Sequence, residues 1–245
     1  MPYINLKSKN ANKNLSYNVI PQKERFLQAD KITEVIVLDP LSPNYVDLDS
    51  KEGLSATKVG RYVFFYGGNN ARKSASITTF DLRNNKFVTF NTSNNFPFPR
   101  AFHSATSLGN SLWIFGGETS LGPNNKVLLS EVWCLHTIGK NWVRKSSGSG
   151  FVEPRKHHSA FFIGNYLVIC GGEGENTQKL ADFLAFNTKD NSWMPVSHQI
   201  QNWGPISHHT ATGVFSRSTK IIDLYRHKNT AVTTNSDVSH VFKQT

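Results

Sequence analysis

From Arg100 the chain reads R-A-F-H-S-A-T-S-L-G-N-S-L-W-I-F-G-G-E, then a polar loop, then E-V-W-C-L-H-T-I-G-K-N-W. Two short apolar runs come first, the second ending in Gly-Gly. A third run follows the loop, and a Trp opens a fourth. Runs of this length bounded by turn residues predict strands over His103 to Leu108, Leu112 to Phe115, Glu131 to Leu135 and from Trp142 onward. Gly109-Asn110 supplies the left-handed positions of a two-residue hairpin turn between the first two.

The pattern recurs along the chain. Downstream, His158-Ser159-Ala160, Gly164-Asn165, Gly171-Gly172, Asp182 to Phe186 and Trp193 repeat it. Upstream, Leu54-Ser55-Ala56-Thr57, Gly60, Gly67-Gly68, Ile77 to Phe80 and Phe87 do the same. The distances His103 to Gly116, His158 to Gly171 and Leu54 to Gly67 are each 13 residues. A fixed period of this kind marks an internal repeat. Thr33 to Asp39 and Tyr45 to Leu48 carry only the back half of a unit. Ser207 to Thr212 reopens one; counting 13 on from His209 puts Ile222 at the Gly-Gly position, and Asp237 to Val241 reads as strand three. A Gly doublet at a strand end lets the chain turn through conformations closed to residues with a Cβ, and lets a neighbouring sheet approach.

Four-strand units of about 50 residues with a terminal Gly-Gly and a late Trp resemble kelch repeats. The likeness is strongest in P-R-A-F-H-S…I-F-G-G…W and P-R-K-H-H-S…I-C-G-G…W. It implies an all-β fold, a kelch-type β-propeller of four-stranded antiparallel blades, with about four to five blades in an incomplete ring. The expected boundaries are an Asn/Lys-rich tail or degenerate blade over 1–29, a half blade over 30–50, blades over 51–98, 99–150 and 151–200, and a partial blade over 201–245. A lone four-stranded sheet cannot bury both faces, whereas stacked blades can.

Composition adds a net charge of +10 in 245 residues and a pI near 9.6. Lys and Arg are dispersed among the repeats, so no nucleic-acid partner is expected. No apolar run reaches membrane-spanning length, and the N-terminus lacks the apolar core of a secretory signal. Cys134 and Cys170 lie in strand runs at non-equivalent positions and read as buried free thiols. A cytoplasmic protein with no membrane association is the resulting expectation.

His103, His158 and His209 share one repeat position, which suggests ligands. The first unit has Leu54 there, so packing and hydrogen bonding at the start of strand one is the reading, and neither metal nor cofactor is expected. These histidines, the doublets Gly67-Gly68, Gly116-Gly117 and Gly171-Gly172, and Trp142 and Trp193 form the structural signature. No nucleophile elbow, phosphate loop or zinc-protease motif occurs. The kelch resemblance implies instead a protein-interaction module, a scaffold or adaptor, that docks partners on the loops between blades and after Gly-Gly. By motif, that face gathers Lys51, Arg100, Arg155, Lys156 and His157 ahead of strand one, and Asn69, Asn70, Arg72, Glu118, Glu173 and Glu175 after the doublets. The expected partner is a protein, with an acidic peptide segment suited to the arginines. Equally open is a purely structural role for Arg100 and Arg155 in tying blades together. Self-association through an open sheet edge and a small-molecule enzyme of the sugar mutarotase type, acting at the channel mouth, are the other readings.

Overall fold

The apolar runs form strands wherever β-branched and aromatic residues sit between turn residues. In the computed structural model the described residues are 52–69, 76–92, 95–122, 125–146, 152–196, 204–211, 213–215, 221–225 and 238–243. All belong to the second of two units, Met1–Leu38 and Asp39–Thr245. The expected tail over 1–29 and half blade over 30–50 lie outside the described residues.

The first blade runs β1 (Leu54–Val59), β2 (Tyr62–Gly67), β3 (Ser76–Asp81) and β4 (Lys86–Asn91), paired in chain order and antiparallel throughout. The second begins with β5 (Ser104–Leu108) and β6 (Ser111–Phe115). Here the expected polar loop is itself ordered: β7 (Glu118–Gly122) and β8 (Asn125–Leu128) pair as a separate hairpin. The blade resumes with β9 (Val132–His136) and β10 (Asn141–Ser146), giving the order β5-β6-β9-β10. The third blade is β11 (Ser159–Ile163), β12 (Tyr166–Cys170), β13 (Phe183–Asn187) and β14 (Ser192–Pro195), with a 3-10 turn at Glu175–Thr177 between β12 and β13. A three-stranded sheet follows, β15 (Gly213–Phe215), β16 (Ile221–Tyr225) and β17 (Val238–Lys243).

Strand periodicity explains how the blades stack. Along β6, Leu112 and Ile114 point into a core shared with Phe64 and Ile77 of the first blade. The alternate residues Trp113 and Phe115 point into a second core with Leu167, Ile169 and Phe186 of the third. Along β12 the alternation repeats, with Val168 and Cys170 turned to a third cluster that includes Phe161 and Phe183. Successive side chains leave opposite faces of a strand, so a run apolar at every position is one covered on both sides. Each such side chain contributes roughly 1.5–3 kcal/mol by leaving water. The late aromatics complete the seams. Trp142 packs on Tyr66 of the preceding blade at 5.3 Å between ring centres, and Trp193 packs on Phe115 at the same distance. The first strands β1, β5, β11 and β15 lie side by side in that succession. This is the blade arrangement of a kelch-type propeller, open as a series among the described strands.

One expectation is corrected. Ile222 was aligned with the Gly-Gly position, which in the first blade puts Gly67 opposite Leu54. In the fourth sheet Ile222 lies opposite Phe215, six residues beyond His209. The cause is the connection: five residues, 216–220, separate β15 from β16, against two between the first two strands of each earlier blade. A longer turn moves the register, and equal spacing in sequence no longer means equal position in the sheet.

Candidate interaction face

Each blade begins with the same short passage, and its geometry repeats. Gly53, Phe102, His157 and His208 occupy one slot, all with left-handed backbone, at φ 74°, 58°, 55° and 54°. They join the blades as a ladder. Phe102 N–H donates to Gly53 O at 3.0 Å, His157 to Phe102 O at 3.1 Å, and His208 to His157 O at 3.0 Å. The residue ahead of each slot pairs with the residue after Gly-Gly, as Ala101 does with Glu118 and Lys156 with Glu173. Asn69 N–H donates to Glu52 O at 2.7 Å in the first blade. The doublets face the next blade: Gly68 N–H donates to Arg100 O, Gly117 to Arg155 O and Gly172 to Ile206 O.

Arg100 and Arg155, offered by the sequence to a partner or to the blades, have their side chains turned inward. They are 1% and 0% exposed. Arg100 donates to Gly116 O at 3.0 Å and pairs with Glu131 at 2.9 Å. Arg155 donates to Gly171 O at 3.1 Å and holds Asp182 through two parallel bonds, that from Nη2 being 2.8 Å. Each guanidinium thus fastens the Gly-Gly end of strand two to the start of strand three within its own blade. Burial pushes the Glu131 carboxyl up, but hydrogen bonds from Arg100 and Trp133 and the Arg100 charge outweigh it and hold it below its ordinary value.

The three recurring histidines are buried as well. His103 Nε2 meets Ser55 Oγ at 2.8 Å and His158 Nε2 meets Ser104 Oγ at 2.9 Å, each across a seam. His209 Nε2 lies 3.4 Å from Cys170 Sγ. Burial, reinforced by Arg100, lowers His103 to about 3; burial and Arg155 likewise hold His158 well below its ordinary value. Both are neutral connectors of blades. Cys134 and Cys170 are free and buried, and burial pushes their thiols up to about 11 and about 12.

The remaining polar residues form a strip across the blade entrances, from exposed Glu52, Lys126 and His208 to buried Glu118. Asn69 Nδ2 donates to the exposed Glu52 at 3.0 Å. Glu118 is ion-paired to Lys126 at 2.8 Å and to Lys156 of the next blade at 2.5 Å. Burial raises the Glu118 carboxyl, but those two lysines more than reverse the effect and hold it ionised. Further along, Glu173 accepts from Ser207 at 2.8 Å and lies 3.4 Å from His208 Nδ1. The His157 and His208 rings stack at 3.7 Å, and Phe102 lies 4.4 Å from His157. Burial and then the neighbouring His208 lower His157 from its ordinary value. A cleft between the first two blades is lined by Gly68, Asn69, Arg100, Glu118, Ser120 and Lys126, among others. Glu175 is exposed in its 3-10 turn. Lys51, Asn70 and Arg72 lie outside the described residues. The sequence reading missed Glu52, Ser207 and Lys126; the last lies on β8, inside the run taken for a loop.

Residues 46–222 match the sequence model of the KLHDC2/KLHL20/DRC7 Kelch-repeats domain, well over half of the chain. The chain belongs to the kelch-repeat family. Kelch domain-containing protein 3 of Rattus norvegicus is 26% identical over 156 residues, 60% of this chain and 40% of the rat protein. The Homo sapiens protein of the same name is 26% identical over 155 residues, covering 60% of this chain and 41% of its own length. Rho GTPase-activating protein gacHH of Dictyostelium discoideum is 32% identical over 140 residues, 55% of this chain and 9% of that protein. The chain spans about two-fifths of the length of the first two relatives. Kelch-repeat domains are generally protein-interaction modules. Among the described residues no helix is long and apolar enough to cross a membrane.

Proposed function

We propose that this chain is a protein-interaction module, an adaptor or scaffold, that receives a partner segment on the strip across its blade entrances. The observation that carries this reading is the cleft between the first and second blades, which brings Asn69 of the first blade together with Glu118 and Lys126 of the β7–β8 hairpin. Lys126 and Lys156 share the carboxylate of Glu118, and Lys126, further offset by Glu52, is the openly exposed cation of this part of the strip. A partner segment bearing carboxylates complements it. The strip favours binding over catalysis, because Glu118 is held ionised by two lysines and is a poor proton donor or acceptor. The buried free thiols fit a reducing compartment such as the cytoplasm.

The test is capture of acidic and basic peptide libraries on the full chain, followed by titration of the selected peptides. Acidic peptides should be enriched, and Lys126→Glu should weaken them about tenfold or more while circular dichroism stays unchanged. Selection of basic or apolar peptides, or indifference to Lys126→Glu, would overturn the reading. Sedimentation velocity on the same sample addresses self-association along β17, which is at the edge of its sheet among the described strands.

A further inference from the structure

We propose that His157, Glu173 and His208 bind a divalent transition-metal cation of the zinc class, held between the entrances of the third and fourth blades. The proposal does not depend on the partner face. Each residue offers one donor atom, and the three atoms lie within 4.8 Å of one another. A zinc ion with bonds of about 2.0–2.2 Å to tetrahedral ligands sets its donors about 3.4 Å apart. His208 Nδ1 and Glu173 Oε1 are already 3.4 Å apart. The stacked rings, inclined by 22°, lie close enough for a modest rotation to bring a nitrogen from each toward one ion.

The site is held together by backbone as well as by side chains. Glu173 exchanges two backbone hydrogen bonds with Lys156, at 3.0 and 2.7 Å, and His208 N–H donates to His157 O at 3.0 Å. The three ligands therefore come from adjacent, mutually pinned positions in two blades. His157 and His208 both sit in left-handed backbone, where the first blade has Gly53. Ser207 Oγ donates to Glu173 Oε1 at 2.8 Å and lies 3.2 Å from His208 Nδ1, so in the metal-free chain it bridges the two donor atoms and gives way when an ion takes them. Lys156, whose charge bears on His157, is ion-paired to Glu118. His208 is half exposed, which leaves a path in and room for water at the fourth position.

Two imidazoles with one carboxylate suit zinc, cobalt or nickel and disfavour calcium and magnesium, which take oxygen donors. The proposal departs from the expectation of no metal. That expectation rested on His103, His158 and His209, which are buried in seams; this site uses the slot immediately before them.

Equilibrium dialysis of the full chain against Zn2+, and titration with Co2+ read by visible absorption, test the proposal. One equivalent should bind saturably, Co2+ should give the intense visible bands of a four-coordinate complex, and Ca2+ should not compete. His208→Ala and Glu173→Gln should each weaken binding about tenfold or more. His208 is exposed, so its variant folds even if His157→Ala does not. Absence of saturable Zn2+ binding by the parent would overturn the site. So would unchanged affinity in His208→Ala, which would place the metal on other histidines.

Discussion

At Gly116 the backbone lies at φ 63°, and a Cβ built there would stand 2.7 Å from Arg155 O and 2.9 Å from His158 Cε1. Two objections to a side chain coincide, one from its own backbone and one from the neighbouring blade. Gly116→Val should therefore cost about 2 kcal/mol or more, read as a lowered urea midpoint at constant slope. His103 supplies a second residue-scale effect, with a definite sign. Burial lowers its folded pKa to about 3, while the unfolded chain keeps the ordinary value of 6.5. Between these values the unfolded state binds a proton that the native state refuses. Stability is then fully present above about pH 6.5 and is lost as pH falls toward 3, at up to about 1.4 kcal/mol per pH unit. His103→Leu copies Leu54 of the first blade and should flatten this dependence between pH 7 and 5, measured by urea unfolding. An unaltered slope would mean that His103 titrates normally in the native chain.

At the scale of elements, Arg155 joins the end of β12 to the approach to β13, through Gly171 O and Asp182. Arg155→Glu should bring a second carboxylate against Asp182 and leave Gly171 O without its donor. A loss of about 3–5 kcal/mol, visible by thermal unfolding, is expected. A variant as stable as the parent would contradict the clamp. The sequence pattern left Arg155 open between a partner and a structural tie because periodicity tells which residues repeat and not which way a long side chain turns. Legibility was good wherever the signal was local. The hairpins at Gly60, Gly109-Asn110 and Gly164-Asn165, the doubly apolar strands β6 and β12, and the seam aromatics Trp142 and Trp193 all follow from turn chemistry and spacing. The β7–β8 hairpin was hidden because Ser120, Asn125 and Lys126 look like any polar connection. The joining of His157, Glu173 and His208 was hidden for a different reason. It depends on how two blades abut, a relation that no stretch of sequence contains.

Across the molecule, each blade is stabilised chiefly by its neighbours, so protection should follow the number of covered faces. The second blade is packed on both sides, by Phe64 and Ile77 through one face and by Leu167, Ile169 and Phe186 through the other. The first blade shares its described core with the second alone. Stability in such stacked arrays is close to a sum of unit and nearest-neighbour terms. Amides of β6, β9 and β12 should then exchange most slowly with deuterium, at rates approaching those of global unfolding, and those of β1 to β4 distinctly faster. Weakening one seam should act on both of its blades. Gly116→Val at the seam of the second and third should accelerate exchange in β6 and β12 together, and much less in β3 and β4. Uniform acceleration across all blades would show instead that the sheets unfold as one cooperative body, with the seams as strong as the sheets themselves.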